Sequence, residues 1–485
     1  MHAALSSLAC LLLVLAPQEP SLQEPSLQDP SLQDPGTGGS DSPFAGPEAR
    51  VDQDLAAQRV RELCALGPRM GGTPSSLRAA NYLAGHFKAA GLLVRTLTAP
   101  ERLTHWEEPW TVVAKASAKG TQPATELPLE RAWPYGYSPS AAGSWPLSLE
   151  QLDGHVALFS KAHRPPREGP ALAAALVDGH DADGWPKLIP LRASARNRYP
   201  VFGIGAKNGA TLREWLKAGR DVSVSIELQS HIAKAGPMTL EARLAAREGA
   251  PPGVLLLCAH GDSDAGGPGA NDNASGVAVV LAIAEAWSAA IRAGELEAPP
   301  REVRFVIWGS EIHSTRHYLE TQLAETPCVG VFNWDQAGFG SGAEQLNIEP
   351  DDLPANKELV RSLDTLLGRR AGRDGFPAKW ATNKSLGGTD SYVFSSSKLF
   401  RDQGIPAITI FTSAWDKPEE HPRTEGMPGE SWSDRDLVSV DHDTSYHSAG
   451  DLPERSTDLE PHNLGWCARV GLVGAVEWLA LVDQR

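Results

Sequence analysis

Four short apolar runs dominate the hydrophobic pattern in the second half of the chain. They cover residues 254–259, 303–308, 329–334 and 406–411, and each contains at most one polar residue. A strand that is buried on both faces of a parallel sheet is typically continuous in this way, whereas a half-buried strand alternates. The pattern therefore predicts an α/β fold built around a core of parallel strands.

Segments with helical spacing of apolar residues lie between these runs and also open the chain. A helix is predicted for residues 277–287, directly after the first run. Two helices at 55–66 and 79–91 are predicted to form a hairpin around the Gly/Pro-rich turn at 67–74. A closing helix is predicted for residues 461–482.

The pattern changes between residues 130 and 232. Short strands are predicted at 155–160 and 200–205, a helix at 209–219, and an alternating, half-buried strand at 222–228. This block is predicted to be a small β-rich inserted domain. Its polar residues are expected to lie on the surface, namely His180, Asp181 and, at its edge, His231.

The N-terminal stretch has the pattern of an exported protein. Residues 3–16 are apolar or small and uncharged, which suits a secretory signal peptide and is too short to span a bilayer. From residue 18 a five-residue repeat places proline regularly, which excludes helix and sheet and predicts an acidic tether. We expect a secreted or periplasmic protein, without an integral membrane span, whose folded part starts near Val51.

Charge and cysteine content narrow the class of protein further. The 485 residues include 44 Lys and Arg against 60 Asp and Glu, a formal net charge of −16, which argues against nucleic acid or anionic membranes as partners. A chain of this length usually divides into two domains. Cys258 and Cys328 lie in or beside apolar runs and are expected to be buried, while disulfide pairing stays open.

Residues that can bind metal follow three of the apolar runs. His260 and Asp262 come after the first run, Glu311 after the second, and Asp335 directly after the third. Ligands in open α/β sheets bind beyond the carboxyl ends of the strands, so these side chains are expected to share one crevice. Asp272, in the glycine-rich loop before the next helix, is expected to join them. Asp262 can accept a hydrogen bond from His260, as carboxylates beside metal-bound histidines do.

This combination resembles the metal-binding segments of the secreted zinc exopeptidases, a family that includes bacterial leucyl-type aminopeptidases and plasma glutamate carboxypeptidase (carboxypeptidase Q). The resemblance extends to the Gly67-Pro-Arg turn and to Tyr446-His447, in the family's chain order. It implies the zinc exopeptidase fold, a mixed sheet with a mostly parallel core and helices on both faces. The β-rich block resembles the protease-associated domain that many members carry. Together with the N-terminal pattern, this predicts a signal peptide (1–17), a Pro-rich linker (18–50), the exopeptidase domain (51–129 and 233–485) and the insert (130–232).

The resemblance implies two zinc ions held by histidine and carboxylate ligands. Asp272 would bridge the two ions. His260 and Asp335 would complete one of the two sites, and His447 would belong to the other.

Two further residues match catalytic groups of the family. Glu311 matches the general base that activates a metal-bound water, and Tyr446 matches a tyrosine that hydrogen-bonds the developing oxyanion. The implied function is hydrolysis of a terminal peptide bond of a peptide substrate. An aminopeptidase is favoured over a carboxypeptidase or dipeptidase, and the oligomeric state is not predicted.

Two departures from the family's pattern leave alternatives open. Ile312 stands where the family usually has a second glutamate, which ligates the second metal, and Asp390 is followed by Ser391 where a histidine is common. Three outcomes are compatible with this: one tight zinc plus a weaker second site, His313 as a replacement ligand, or Glu311 shifted to ligation. The departures also motivate a different class of function, a catalytically impaired peptidase-fold protein that binds peptides and keeps one structural metal.

Overall fold

The computed structural model describes residues 46–160, 169–181, 183–263, 266–339, 345–349, 353–382, 391–412, 414–415, 442–443 and 445–485. Residues Gly46–Arg485 form one compact unit. The predicted signal peptide, most of the predicted linker and Asp390 lie outside the described residues.

Strands and helices are numbered here in chain order over the described residues. The strands are β1 (Leu93–Thr98), β2 (Arg102–Glu107), β3 (Thr111–Ala116), β4 (Thr125–Pro128), β5 (Trp133–Pro134), β6 (Ala141–Ser148), β7 (Val156–Ser160), β8 (Ala174–Asp178), β9 (Val201–Gly203), β10 (Val222–Leu228), β11 (Ser230–Ala235), β12 (Met238–Leu244), β13 (Val254–His260), β14 (Glu302–Trp308), β15 (Cys328–Trp334), β16 (Gln345–Glu349), β17 (Lys379–Thr382), β18 (Ala407–Phe411), β19 (Ala414–Trp415) and β20 (His442–Asp443). The helices are α1 (Gln53–Ala65), α2 (Pro74–Ala89), α3 (Ala206–Lys217), α4 (Gly276–Arg292), α5 (Glu311–Thr321), α6 (Asn356–Arg370), α7 (Ser391–Ser396), α8 (Lys398–Gln403) and α9 (His462–Asp483).

The central sheet is mixed and has eight strands in the order β1-β12-β14-β13-β15-β18-β16-β17. Its four middle strands, β14, β13, β15 and β18, are parallel neighbours. Antiparallel pairs extend the sheet through β12 and β1 on one side and through β16 on the other. The four middle strands are the four predicted apolar runs, and their limits agree with the prediction to within one residue. The predicted fold class is therefore confirmed.

Strand β13 shows why these runs are continuously apolar. Leu255 and Leu257 pack into a core cluster formed with helices α1, α2, α4, α6 and α9. The alternate residues, Leu256 and Cys258, pack into a second cluster with residues of α5, α7 and α8. Because successive side chains of a strand point to opposite faces, a sheet covered by helices on both faces requires apolar residues at every position.

The predicted helices are present. Helices α1 and α2 form the predicted hairpin, with Asp52 and Thr73 accepting hydrogen bonds from helix N–H groups as N-caps. Helix α2 ends before Gly91, whose φ of +86° is a left-handed conformation that glycine adopts without strain. The closing helix is α9, which begins and ends within one residue of its predicted limits.

A second sheet of eight strands has the order β4-β3-β10-β6-β7-β8-β9-β5 and carries helix α3. In β10 the side chains of Val222, Val224, Ile226 and Leu228 are buried and alternate with more exposed ones, as predicted for this strand. The sheet draws on strands from β3 to β10, and the ribbon of β2 and β11 flanks it in sequence. The domain limits at 130 and 232, and the assignment to the protease-associated domain, stay predictions.

A buried ionic cluster joins three neighbouring strands at one side of the central sheet. Glu241 on β12 lies directly opposite Arg95 on β1, which donates to it at 2.9 Å, and Arg243, Arg304 and Tyr318 also surround it. Burial of Glu241 opposes its ionisation, but hydrogen bonds from Arg95, Tyr318 and Arg243 outweigh that effect and lower its pKa to about 2. Glu241 is therefore ionised in the folded protein, and the neighbouring guanidinium groups balance its negative charge.

Two further sequence expectations concern the core. The four cysteines in the described part of the chain are free thiols, and Cys258 and Cys328 are buried as expected. Two described helical stretches, Ala270–Arg292 and His462–Asp483, are long and apolar enough to cross a membrane. However, 83% and 67% of their most apolar windows are buried in the protein, which is how core helices behave.

Candidate metal centre

The parallel middle strands bring three predicted residues to one edge of the central sheet. His260 is the last residue of β13 and lies beside Trp308, the last residue of β14. Glu311 is the first residue of α5, shortly after β14, and Asp335 directly follows β15. These three residues therefore lie at or shortly after the carboxyl ends of neighbouring parallel strands, as the sequence predicted.

The carboxylate of Asp272 lies between two histidines. Its Oδ1 is 3.2 Å from Nε2 of His260, and its Oδ2 is 3.1 Å from Nε2 of His447. Oδ1 of Asp335 is 3.5 Å from the same nitrogen of His260. Across the described ranges, His260, Asp272 and Asp335 are the one group of three such side chains whose ligand atoms all lie within 4.8 Å of one another. A carboxylate with one oxygen toward each of two imidazoles has the arrangement of a bridging ligand.

Side chains next to Asp272 bind this turn to the segment that carries Asp335. Nδ2 of Asn273 donates to the carbonyl of Trp334 at 2.8 Å, and Oγ of Ser275 accepts from the N–H of Ala337 at 2.9 Å. The peptide bond between Asp272 and Asn273 is cis. The two carboxylates of the cluster are therefore held by one network of buried hydrogen bonds.

Asp451 fixes the backbone of Asp272, a role that was not predicted. Its Oδ2 accepts from the N–H of Asp272 at 3.0 Å, and its Oδ1 accepts from the N–H of Asn271 at 2.8 Å. The sequence signal for this role is weak, because it consists only of an acid shortly after His447 in the last predicted ligand segment.

Arg69, in the Gly-Pro-Arg turn, supports the loop between His260 and Asp272. Its guanidinium is buried and donates to the carbonyls of Gly261, Pro268 and Gly269 at 3.2, 2.9 and 2.6 Å. Gly269 has a φ of +61°, and a Cβ there would come within 2.5 Å of the Cβ of Ser263 and 3.0 Å of the guanidinium. Glycine is therefore required where this loop meets Arg69.

Asp262 connects His260 with the start of α5. Nδ1 of His260 is 2.9 Å from the carbonyl oxygen of Asp262 and 3.2 Å from its Oδ1, as predicted. The same Oδ1 accepts from the N–H of Glu311 at 2.9 Å. With a proton on Nδ1, the Nε2 lone pair of His260 is available to a metal ion.

Burial and charge act differently on the two carboxylates. Burial opposes ionisation of Asp272, but hydrogen bonds with His260 and His447 outweigh it and hold the pKa of Asp272 well below its usual range. Burial raises the pKa of Asp335 to about 6 despite its contact with His260, and the negative charges of Asp272 and Glu311 add to the rise. The cluster therefore carries crowded negative charge that a cation would compensate.

The residues of the cluster fit a divalent metal. Oδ1 of Asp335 is buried, and none of the described residues offers it a donor in hydrogen-bonding geometry. Histidine nitrogen and carboxylate oxygen are also the ligand types that zinc accepts. An unsatisfied buried oxygen that faces a histidine and a second carboxylate is the environment expected of a metal ligand.

His447 and Tyr446 are adjacent in the chain and stacked in space. Their ring centroids are 3.6 Å apart with an angle of 22° between the ring planes. His447 has a φ of +51°, which is uncommon for a residue other than glycine. The predicted role of Tyr446 at the oxyanion stays a prediction.

The first turn of α5 bears on the alternatives for the second metal. Ile312 is 41% exposed, and Nε2 of His313 lies 2.8 Å from the carbonyl oxygen of Pro100. Over the described part of the chain, His313 is not a member of the ligand cluster. The role of His313 as a replacement ligand stays a prediction.

The prediction for Asp181 is wrong. It was expected on the surface, but it is 3% exposed, and its Oδ2 accepts from Oγ of Ser448 at 2.7 Å. His180 is exposed as expected, and His231 is partly exposed, 3.4 Å from Glu108. The cause of the error is a tertiary contact between the second sheet and the His447 segment, which local sequence pattern does not show.

The protein thus has an α/β fold with a cluster of histidine and carboxylate side chains at the carboxyl edge of its central sheet. Residues 242–469 match peptidase family M28. The chain is 24% identical over 327 residues to "probable leucine aminopeptidase 2" of Aspergillus oryzae, covering 62% of this chain and 58% of that protein. It is 24% identical over 411 residues to "Aminopeptidase YwaD" of Bacillus subtilis, covering 80% of each. Among solved structures, BSAP, a zinc aminopeptidase from Bacillus subtilis, superposes with a TM-score of 0.53 at 19% identity, over 90% of this chain and 95% of that one.

The match to peptidase family M28 covers 228 of the 485 residues, from 242 to 469. The matched region contains all the predicted site residues, namely His260, Asp272, Glu311, Asp335, Tyr446 and His447. The structural likeness confirms the fold that the resemblance implied. The chain spans 58% of the length of the Aspergillus relative.

Proposed function

We propose that the protein is a zinc-dependent aminopeptidase that releases N-terminal residues from peptides. The observation that carries the proposal is the carboxylate of Asp272, placed between His260 and His447 at the edge of the sheet. The names of the two aligned relatives, both aminopeptidases, support the choice of the amino end of the substrate. The zinc aminopeptidase with the same fold supports zinc as the metal.

The proposed reaction is hydrolysis of the first peptide bond. Zinc, when bound, supplies a Lewis acid for the scissile carbonyl and makes a coordinated water easier to deprotonate. We assign to Glu311 the role of general base, which takes a proton from the attacking water and returns it to the leaving amine as the C–N bond breaks. Its backbone is fixed for this role by the hydrogen bond to Asp262.

Tyr446 is proposed to donate a hydrogen bond to the carbonyl oxygen of the substrate as negative charge develops there. Stacking on His447 orients its ring next to a proposed ligand. This contact supports the role, since a donor must be held in place before charge develops to stabilise it.

We propose one tight zinc site and a weaker second one. His260, Asp272 and Asp335 supply three protein ligands, which is the usual number for a catalytic zinc. The second position has Asp272 and His447, because Ile312 offers no lone pair and is exposed. Zinc titration of the wild type is expected to show two unequal equivalents, the weaker of which disappears in His447→Ala.

The function is tested with purified protein and a panel of peptides that have free or acetylated amino ends. Release of the first residue from the free peptides alone, abolished by a chelator and restored by zinc, is expected. Glu311→Gln should keep its zinc and lose about 10²- to 10⁴-fold in turnover, because the base is removed. Equal cleavage of free and acetylated peptides, or no release from any, would overturn the proposal.

Ile312 in place of the usual glutamate motivated a different candidate, a peptide-binding protein of the same fold without turnover, which the aminopeptidase names of the aligned relatives do not favour. A zinc-loaded protein that binds the free peptides and leaves them intact would select this candidate. The peptide panel therefore separates the two functions in one experiment.

We also propose that the protein is exported from the cytoplasm. The apolar stretch at residues 3–16 followed by the proline repeat supports this location. N-terminal sequencing of the protein from an expressing culture should find a mature chain that has lost this stretch, recovered outside the cytoplasm. Recovery of the intact N-terminus from the cytoplasmic fraction contradicts export.

A further inference from the structure

The segment that carries His447 is held by a loop of the second sheet. This support loop comprises residues 179–181 and 183–188, after strand β8. The N–H of Leu188 donates to the carbonyl of His447 at 2.8 Å, and the N–H of Ala449 donates to the carbonyl of Pro186 at 2.9 Å. The backbone of the proposed ligand is thus paired with the support loop, as in a short antiparallel bridge.

Asp181 fastens this pairing with its buried carboxylate. Oδ1 accepts from the N–H groups of Asp183 and Trp185 at 3.0 and 2.8 Å, which shapes the support loop itself. Oδ2 accepts from Oγ of Ser448 at 2.7 Å, and that hydroxyl in turn accepts from the N–H of Gly450 at 3.0 Å. One buried side chain therefore binds both partners of the bridge.

Two cations complete the contact on either side of His447. Nζ of Lys187 donates to the carbonyl of Tyr446 at 2.6 Å. Nη1 of Arg455 donates to the carbonyl of Gly450 at 2.8 Å and lies 3.8 Å from Oδ2 of Asp181. The residues before, at and after His447 are thus each bonded to the support loop or to its partners.

The backbone of His447 needs such support. Its φ of +51° is a left-handed conformation that a residue with a Cβ keeps only where its surroundings determine it. If the bridge loosens, the imidazole is free to leave the position 3.1 Å from Asp272. A metal ligand that is poorly oriented binds more weakly, which is why residues behind a ligand affect metal affinity.

We propose that Asp181 is a positioning residue for His447, acting through Ser448, and that the second sheet thereby sets the zinc affinity of the second metal position. The inference rests on the proposed zinc centre and deepens it. It assigns the inserted block a part in the metal site.

The test measures zinc affinity on the full chain by competition with a chromophoric chelator. Asp181→Ala and Ser448→Ala should each weaken the weaker equivalent by about 10- to 100-fold and leave the tight one within about twofold. Ser448→Thr keeps the hydroxyl and should restore wild-type affinity. Asp178→Asn is the matched control, because Asp178 is an acid on β8 that pairs with Arg213 at 3.4 Å, and among the described residues no hydrogen bond joins it to the His447 segment.

A second readout separates positioning from general destabilisation. In cobalt-substituted protein, the visible absorption of the second equivalent should change in Ser448→Ala and not in Asp178→Asn. A lowered melting temperature with both zinc affinities unchanged would overturn the inference, as would equal weakening of both equivalents. A wild type that binds one equivalent, unchanged in Asp181→Ala and Ser448→Ala, would overturn it as well.

These outcomes are distinct from failure of the proposed function, because zinc titration needs no substrate. If the protein shows no peptidase activity but the affinity of its second zinc equivalent depends on Ser448, the proposed function is wrong and this inference holds. If the protein is an active peptidase but its zinc affinities do not change in Asp181→Ala and Ser448→Ala, the proposed function holds and this inference is wrong. If Asp181→Ala does not fold, Ser448→Ala carries the test alone, since it removes only one hydroxyl group.

Discussion

Replacing Asp451 by asparagine should weaken zinc binding although no proposed ligand is removed. The side chain is 2% exposed and accepts two backbone N–H groups, from Asn271 at 2.8 Å and from Asp272 at 3.0 Å. Asparagine keeps one acceptor oxygen and turns an NH₂ group toward the other N–H. One backbone donor in the turn that carries Asp272 is then left facing a second donor.

The size of the effect follows from these two hydrogen bonds. A hydrogen bond to a charged group contributes about 1.5–3 kcal/mol, and stranding a buried donor costs about 1–3 kcal/mol. Both figures partly count the loss of the same hydrogen bond and are not simply added. We therefore expect the free energy of unfolding of the metal-free protein to fall by about 2–4 kcal/mol. Loss of a group that orients a ligand lowers metal affinity by about 10- to 100-fold, which sets the expectation for zinc.

Urea unfolding of the chelated protein and zinc competition titration measure the two effects. Asp458→Asn is the control, since Asp458 lies in the same region and pairs with Arg61 at 2.6 Å on the surface. A surface pair of this kind contributes about 0–1 kcal/mol, so the control should change neither quantity much. If Asp451→Asn loses stability while its zinc affinity matches that of the control, Asp451 supports the fold and not the metal centre.

Three further predictions concern other parts of the molecule. Ile312→Glu should strengthen the weaker zinc equivalent at little cost in stability, because the position is exposed and acids are favourable in the first turn of a helix; unchanged titration curves would contradict the proposed ligand deficit. Arg69→Lys should lower the free energy of unfolding by about 2–3 kcal/mol, because an ammonium group cannot reproduce the planar set of donors to three carbonyls; equal urea midpoints would contradict this. Glu241 has a pKa of about 2 in the folded protein against 4.5 as its ordinary value, so its stabilisation is present above pH 4.5 and is lost as the pH falls toward 2. The stability advantage of wild type over Glu241→Gln should therefore shrink by roughly 3 kcal/mol over that range in urea unfolding, and a constant advantage would refute the assignment.

The strands that carry the candidate site were predictable because their residues answer to one local requirement. A strand covered on both faces needs apolar side chains at every position, so β13, β14, β15 and β18 are visible as continuous runs. Residues that follow such strands must lie at one edge of the sheet. The sequence therefore predicts that His260 and Asp335 lie together, and Nε2 of His260 is 3.5 Å from Oδ1 of Asp335.

The groups that hold the candidate ligands were not predictable in the same way. Asp181 contacts Ser448 across 267 residues of sequence, and Asp451 contacts the N–H of Asp272 across 179. No periodicity or motif connects positions so far apart, and the residue type alone does not show whether an aspartate is buried or exposed. The wrong prediction for Asp181 follows from this limit, because burial by a segment far away in the chain does not change the pattern of the residues next to Asp181 in the sequence.

The two histidines beside Asp272 differ in exposure and in the contacts that hold them, and this difference bears on the metal stoichiometry independently of ligand count. His260 ends a central strand, is 5% exposed and is bonded to Asp262. His447 lies outside regular strands and helices, is 30% exposed, and depends on the support loop for its backbone conformation. Adding a glutamate at position 312 would supply a ligand and leave this weakness in place. If Ile312→Glu raises the affinity of the second equivalent while Ser448→Ala still lowers it by a similar factor, ligand number and ligand support contribute separately. If the added carboxylate makes the second equivalent insensitive to Ser448→Ala, the deficit at this position is one of ligand number alone.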